Sequence, residues 1–152
     1  MNDYKEFQMS WLMLGIAVPM HLFLVFAYIY HLGNHPLTPY SFIFMNVTFI
    51  LIYSSFFGMT TRINHEMLTV SFGVGIIRRR IKLSRIKTLN TVNTPWYYGV
   101  GIRFIPGGML YSIQGTKGVE LKFNDSDKFI RVGSNDPRQL IEAINQRNGR
   151  VQ

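Results

Sequence analysis

Between Phe7 and Thr61 the chain carries no Asp, Glu, Lys or Arg, and this gap constrains the fold more than any motif. An apolar helix needs about 20 residues to cross ~30 Å of hydrocarbon, and the gap has room for two with a connection between them. Trp11 to Tyr30 is almost continuously apolar, His31-Leu32-Gly33-Asn34-His35-Pro36-Leu37-Thr38-Pro39 collects turn formers, and Tyr40 to Phe57 is apolar again. The pattern predicts a helical hairpin with spans at about 9–31 and 40–58, inside an N-terminal unit covering 1–59. Two buried helices of a soluble protein would have to hide every face of both, and the rest of the chain offers too little partner surface. A signal peptide would have a cationic start and a small-residue cleavage site, which the first segment lacks.

Orientation follows from the cations at the span ends, because cationic flanks resist translocation. The hairpin loop has none, Lys5 precedes the first span, and Arg62, Arg78, Arg79, Arg80 and Lys82 follow the second. A multi-pass protein with both termini cytoplasmic is expected. Trp11, Tyr28, Tyr30, Tyr40 and Tyr53 fall near span ends, where amphipathic rings settle. Pro19 and His21 lie within the first span. A neutral His there can donate to a carbonyl freed by the proline, and no second ionisable group is present to form a relay. Asn46, Thr48, Ser54 and Ser55 read as helix-packing contacts.

Charge is concentrated in the remainder. The whole chain has 16 basic and 8 acidic residues, for a formal charge of +8, and Arg62 to Gln152 alone is about +9. There is no cysteine, which excludes disulfides, cysteine zinc sites and thiol chemistry. From Thr60 the period changes to two: Leu68, Val70 and Phe72 alternate with Thr69 and Ser71, and Val119-Glu120-Leu121-Lys122-Phe123 repeats the pattern. Turn formers at Asn64-His65, Gly73-Val74-Gly75, Pro106-Gly107-Gly108, Gly115 to Gly118 and Asn124 to Asp127 separate about seven short strands, as in a sandwich or small barrel. A closing helix is marked by Asp136 as cap, Pro137 at the first position and Gln139 completing a capping box, with Leu140, Ile141 and Ile144 as its apolar stripe.

The order of elements and the strings Tyr98-Gly99-Val100-Gly101-Ile102-Arg103, Gly108-Met109-Leu110-Tyr111, Gly118-Val119-Glu120-Leu121 and Ile130-Arg131-Val132-Gly133-Ser134-Asn135-Asp136-Pro137 resemble those of bacterial pleckstrin-homology-like domains carried behind a pair of transmembrane helices. The resemblance implies a membrane α-helical hairpin plus an all-β barrel of about seven antiparallel strands capped by a C-terminal α-helix, with the barrel in 60–152. It also implies a bacterial inner membrane and a regulatory or scaffolding role, with no catalytic residues and no cofactor.

Residue patterns for chemistry are sparse. His65 stands alone in the predicted cytoplasmic part, and no His/Asp/Glu group has metal-ligand spacing. Asp125-x-Asp127 lacks the glycine and glutamate of a calcium loop. Gly99-Val100-Gly101 and Gly73-Val74-Gly75 lead into no helix that would hold phosphate. An enzyme is therefore not expected.

Two binding features remain. In the run Ile76 to Lys87, strand alternation puts Arg78, Arg80 and Lys82 opposite Ile77 and Ile81, with Arg79 at the rim and Arg85 and Lys87 following. Such cations beside a membrane anchor can be a solvated face, a site for anionic phospholipid headgroups, or a site for a protein partner. The second feature is the loop Trp96-Tyr97-Tyr98 with Arg103 behind it, whose rings can pack beneath the loop, reach the headgroups, or contact a neighbouring copy in a homo-oligomer. Arg103 is placed to pair with Glu120 or Asp136. Nucleic acid is not the expected partner, since the aromatics are not interleaved with the cations. The expectation is a non-catalytic binding or scaffolding module on the bilayer; the alternative is an accessory subunit of a membrane transport or secretion complex.

Overall fold

The structure is a computed structural model and describes residues 4–149. Strand β1 (Tyr4–Met9) leads through Ser10 into helix α1 (Trp11–Ile29), and helix α2 (Pro39–Phe56) leads through Phe57 into strand β2 (Gly58–Asn64). Then come β3 (Met67–Phe72), β4 (Ile77–Lys82), a 3-10 turn at Leu83–Arg85, β5 (Ile86–Asn93), a second such turn at Trp96–Tyr98, β6 (Gly101–Ile105), β7 (Gly108–Ser112), β8 (Lys117–Phe123), β9 (Ser126–Gly133) and helix α3 (Pro137–Asn148).

Helices α1 and α2 have 19 and 18 residues, long and apolar enough to cross a membrane. Thr38 caps α2, its hydroxyl accepting from Ser41 N at 3.3 Å, and Pro39 occupies the first turn. The two helices meet along Ala17, His21, Leu24 and Tyr28, a stripe of roughly helical period. The Tyr28 ring stacks on Phe42 at 4.0 Å, His21 stands edge-on to Phe49 at 5.0 Å, and the Tyr53 hydroxyl donates to the Ala17 carbonyl at 2.7 Å. The expected bond from His21 to a freed carbonyl is not made: its Nδ1 has no hydrogen-bond partner among the described residues. Most of the remaining helix surface is exposed and apolar.

The strands form two sheets, β1-β2-β3-β4 and β5-β8-β9-β7-β6. All neighbours are antiparallel except β7 and β9, which are parallel. Met59, Ile63, Leu68, Val70 and Phe72 from the first sheet meet Tyr111, Val119, Leu121 and Val132 from the second, and Leu140 and Ile144 of α3 close one end, both fully buried. Two apolar helices, a sandwich-like pair of sheets and a C-terminal helix are compatible with the pleckstrin-homology-like order.

Three expectations need correction. Nine strands form among the described residues, not about seven, and they do not close into a barrel. The corner between β4 and the second sheet stays open, as a cleft of about 430 Å³ bordered by Arg79, Arg80 and Ile81 on one side and Ile105, Met109 and Phe129 on the other. Arg79 lies opposite Val70 on the inward parity of β4 yet is exposed, because an unpaired guanidinium resists burial and holds that corner apart. Finally, Asp136 caps α3 by accepting from Gln139 N at 3.1 Å, but the reciprocal arm of the capping box goes elsewhere: Asp136 N donates to the Ser134 hydroxyl at 3.2 Å.

Candidate functional site: a cationic sheet face at the foot of the helices

The helical hairpin is inserted into a β-hairpin. Strands β1 and β2 pair from Tyr4 opposite Ile63 to Met9 opposite Gly58, and the ladder continues where the helices begin, with Ser10 N donating to the Phe57 carbonyl at 2.9 Å. No loose linker separates helices from sheet. Close approach secures the joint: a Cβ on Gly58 would meet the Phe7 ring at 2.6 Å. The β3–β4 turn also abuts α2. Gly73 N donates to the Gly58 carbonyl at 2.8 Å, and Val74 N donates to the Ser54 carbonyl at 2.9 Å. Gly73 has φ of +55°, and a Cβ there would fall 2.0 Å from the Ser54 carbonyl oxygen, so only glycine fits.

Residues directly opposite one another in a ladder share a face, which fixes what the first sheet presents outward. One row reads Lys5, Arg62, Thr69, Arg80, and the next, nearer the helices, reads Phe7, Thr60, Ser71, Arg78. Lys82 follows opposite Met67. Lys5, Arg62, Arg78, Arg80 and Lys82 are all exposed, and Arg62, Arg78 and Arg80 border a shallow depression of about 320 Å³ floored by Thr60, Thr69 and Ser71. None of these cations belongs to the ion pairs found among the described residues, Arg85–Asp125, Lys122–Glu120 and Arg131–Glu120. Lys5 and Arg62 face each other directly, an unfavourable placement for like charges. The face is thus suited to a multivalent anion.

Of the residues singled out in the sequence, Arg78, Arg80 and Lys82 come together here. Arg85 lies in the 3-10 turn, paired with Asp125, and Lys87 belongs to β5 in the other sheet. Lys5 and Arg62 join the face although local sequence gave no reason to group them; pairing across the helical insertion is the signal that finds them. Arg103 bonds to neither expected carboxylate: its Nε donates to the Val100 carbonyl at 3.3 Å, while Glu120 holds Arg131 at 2.9 Å and Asp136 caps α3. Trp96 and Tyr97 are 83% and 67% exposed, their rings edge-on at 6.3 Å, and Tyr98 is half-buried. Packing beneath the loop therefore accounts for Tyr98 but not for its two neighbours.

A polar node ties β1 to the end of β9. The Glu6 carboxylate accepts from the Tyr4 hydroxyl at 2.8 Å, Gln8 Nε2 at 3.1 Å, the Ser134 hydroxyl at 2.8 Å and Asn135 N at 2.6 Å. Gln8 Nε2 also donates to the Gly133 carbonyl at 2.9 Å. Burial, and next the bond to Glu6, push the Tyr4 phenol well above its ordinary value of 10.0. His65 occupies the β2–β3 turn in a left-handed conformation with φ of +50°. Among the described residues no group of three or more His, Asp or Glu side chains is placed to hold a metal ion.

No family model matches the chain, nor does any curated protein or solved structure.

Proposed function

We propose that this chain is an integral membrane protein of the bacterial pleckstrin-homology-like kind, a non-catalytic docking module whose helical hairpin spans the inner membrane. The sandwich stands on the cytoplasmic side, and the outer face of the first sheet binds anionic phospholipid headgroups. The observation that carries this reading is the concurrence of four cations outside every ion pair of the described residues, Lys5, Arg62, Arg78 and Arg80, on a sheet hydrogen-bonded without interruption to the ends of two apolar helices. A cation held near an anionic surface contributes about 1 kcal/mol, and the rigid joint keeps these four from turning away. The positive-inside bias supports the same orientation.

The test compares lipid retained by the full chain, purified in mild detergent, with that retained by a Lys5/Arg62/Arg78/Arg80→Gln variant. Wild type is expected to hold anionic over zwitterionic phospholipid. The variant should lose about 4 kcal/mol of that preference, roughly a thousandfold. An unchanged preference rejects the headgroup site, and a polypeptide that stays monodisperse in water without detergent rejects the anchor.

A further inference from the structure

The second sheet has a helix side and a far side, and its strand order shows which is which. Strand β5 begins just after the 3-10 turn at Leu83–Arg85; Leu83 N donates to the Glu66 carbonyl in the β2–β3 turn, at the end of the first sheet remote from the helices. Toward the other side, the Tyr111 ring of β7 lies 6.4 Å from Phe72, and Phe72 lies 6.5 Å from Phe56 in the last turn of α2. The order β5-β8-β9-β7-β6 therefore descends from the far side to the helix side. It ends in β6, an edge strand with no partner beyond it among the described residues.

What β6 and the loop that leads into it present is apolar and aromatic. Trp96 and Tyr97 are mostly exposed in the preceding turn, and Phe104 on β6 itself is 87% exposed, with Arg103 beside it. A second apolar tip lies at the β3–β4 turn, where Val74 and Ile76 are 66% and 65% exposed although Val74 N is bonded to the Ser54 carbonyl of α2. Large exposed aromatics on an unpaired sheet edge are an aggregation hazard in water. At a membrane interface the same residues are favoured, since indole and phenol rings settle among headgroups and arginine can extend its charge to phosphate.

We propose that the Trp96–Tyr97 loop with Phe104, together with the Val74–Ile76 tip, forms a second contact with the bilayer, in which these side chains enter the interfacial layer of the membrane that holds the hairpin. The inference rests on the reading that α1 and α2 span that membrane. Its occupant is the headgroup and upper acyl region of the same bilayer, argued from continuity: Val74 is bonded to the last turn of α2, and the Trp96–Tyr97 loop leads into β6, the strand at the edge of the sheet nearest the helices. The contact fixes the tilt of the sandwich, and with it the distance between the cationic face and the headgroups. Because burial of rings and not charge drives it, it forms on neutral as well as anionic lipid.

The chain has two tryptophans, which permits a test with an internal control. Full-length Trp11→Phe, leaving only Trp96, and full-length Trp96→Phe, leaving only Trp11, are reconstituted in phosphatidylcholine vesicles with bromine on shallow or on deep acyl carbons, and acrylamide is added from the water. Trp11 is exposed at the start of α1 and is not one of the residues of the sandwich core, so its replacement spares the fold. The expected result for Trp96 is a blue-shifted emission, strong quenching by shallow bromine, weak quenching by deep bromine, and protection from acrylamide. Trp96 quenched by acrylamide and not by bromine, while Trp11 is quenched by bromine, overturns the second contact and leaves the spanning reading standing. If neither tryptophan responds to bromine, both are overturned. A Val74→Cys variant, the only thiol in the chain, checks the other tip: its reaction with a membrane-impermeant maleimide should be strongly slowed relative to Lys87→Cys on β5, and equal rates overturn that half of the proposal.

Discussion

The two sheets handle charge in opposite ways. On the second, Glu120 is nearly buried and draws in Arg131 at 2.9 Å and Lys122 at 3.8 Å, while Arg131 also lies 4.9 Å from the Phe129 ring. On the outer face of the first, Lys5, Arg62, Arg78, Arg80 and Lys82 gather with no carboxylate among them in the described residues. The only acid of β1, Glu6, points inward and is consumed by four hydrogen bonds. Charges on the second sheet thus hold the sandwich together, as the inward Glu6 does, whereas the cations on the outer face of the first sheet carry unfavourable self-interaction that a ligand anion would relieve. Removing a cation from that outer face should therefore have the opposite consequence to removing Glu120 or Glu6.

The largest effect should come from Glu120→Ala, which strands Arg131 against the sandwich; we expect a loss of about 3 kcal/mol, at the low end for a mostly buried pair, measured by denaturant unfolding of the full chain in detergent. An unchanged midpoint would mean that the Glu120 pairs are as dispensable as exposed ones. Next is Glu6→Gln, which keeps the shape of the node but weakens bonds to a charged acceptor, at a cost of about 2 kcal/mol. The pH dependence sharpens this case. Folding raises the Tyr4 phenol above its ordinary 10.0, so the folded state retains a proton that the unfolded chain releases. The Tyr4 contribution is complete below pH 10.0 and is lost as pH rises beyond it. Tyr4→Phe should flatten that alkaline loss and leave the profile at neutral pH unchanged in shape. The smallest effect should be Arg62→Thr, where relief of repulsion with Lys5 raises stability by a few tenths of a kcal/mol, about 0.2–0.5. A loss of comparable size would show that Arg62 has a stabilising partner and would remove it from the proposed lipid face.

Much of the architecture could be read directly from residue order. The charge-free stretch, its break at His31 to Pro39, and the Asp136-Pro137 start of the last helix each depend on neighbours a few positions apart, and the helices begin and end close to where those signals lie. The alternation of Leu68, Val70 and Phe72 likewise marks an inward face that is fully buried. Strand β1 was hidden for a specific reason. Its inward residues are Tyr4, Glu6 and Gln8, so a reading that places polar residues outward finds no strand in it. The Glu6 carboxylate and the Gln8 amide nitrogen tolerate the interior because Ser134, Asn135 and Gly133, more than a hundred positions away, supply partners for them. Arg103 failed in the opposite sense: the carboxylates it was expected to meet were taken by groups closer in space.

By itself, the order of amino acids determined where the helices and most of the strands form and where charge is absent, because those preferences are decided within a turn of helix or a few residues of strand. Tertiary structure alone decided that the apolar hairpin interrupts a β-hairpin, that Lys5 and Arg62 stand in the same row as Arg80, and that β6 becomes the edge on the helix side. Each of these depends on which distant strands pair, and pairing is settled by cooperative burial of a shared core and by satisfying the polar groups enclosed in it, which no local window of residues contains.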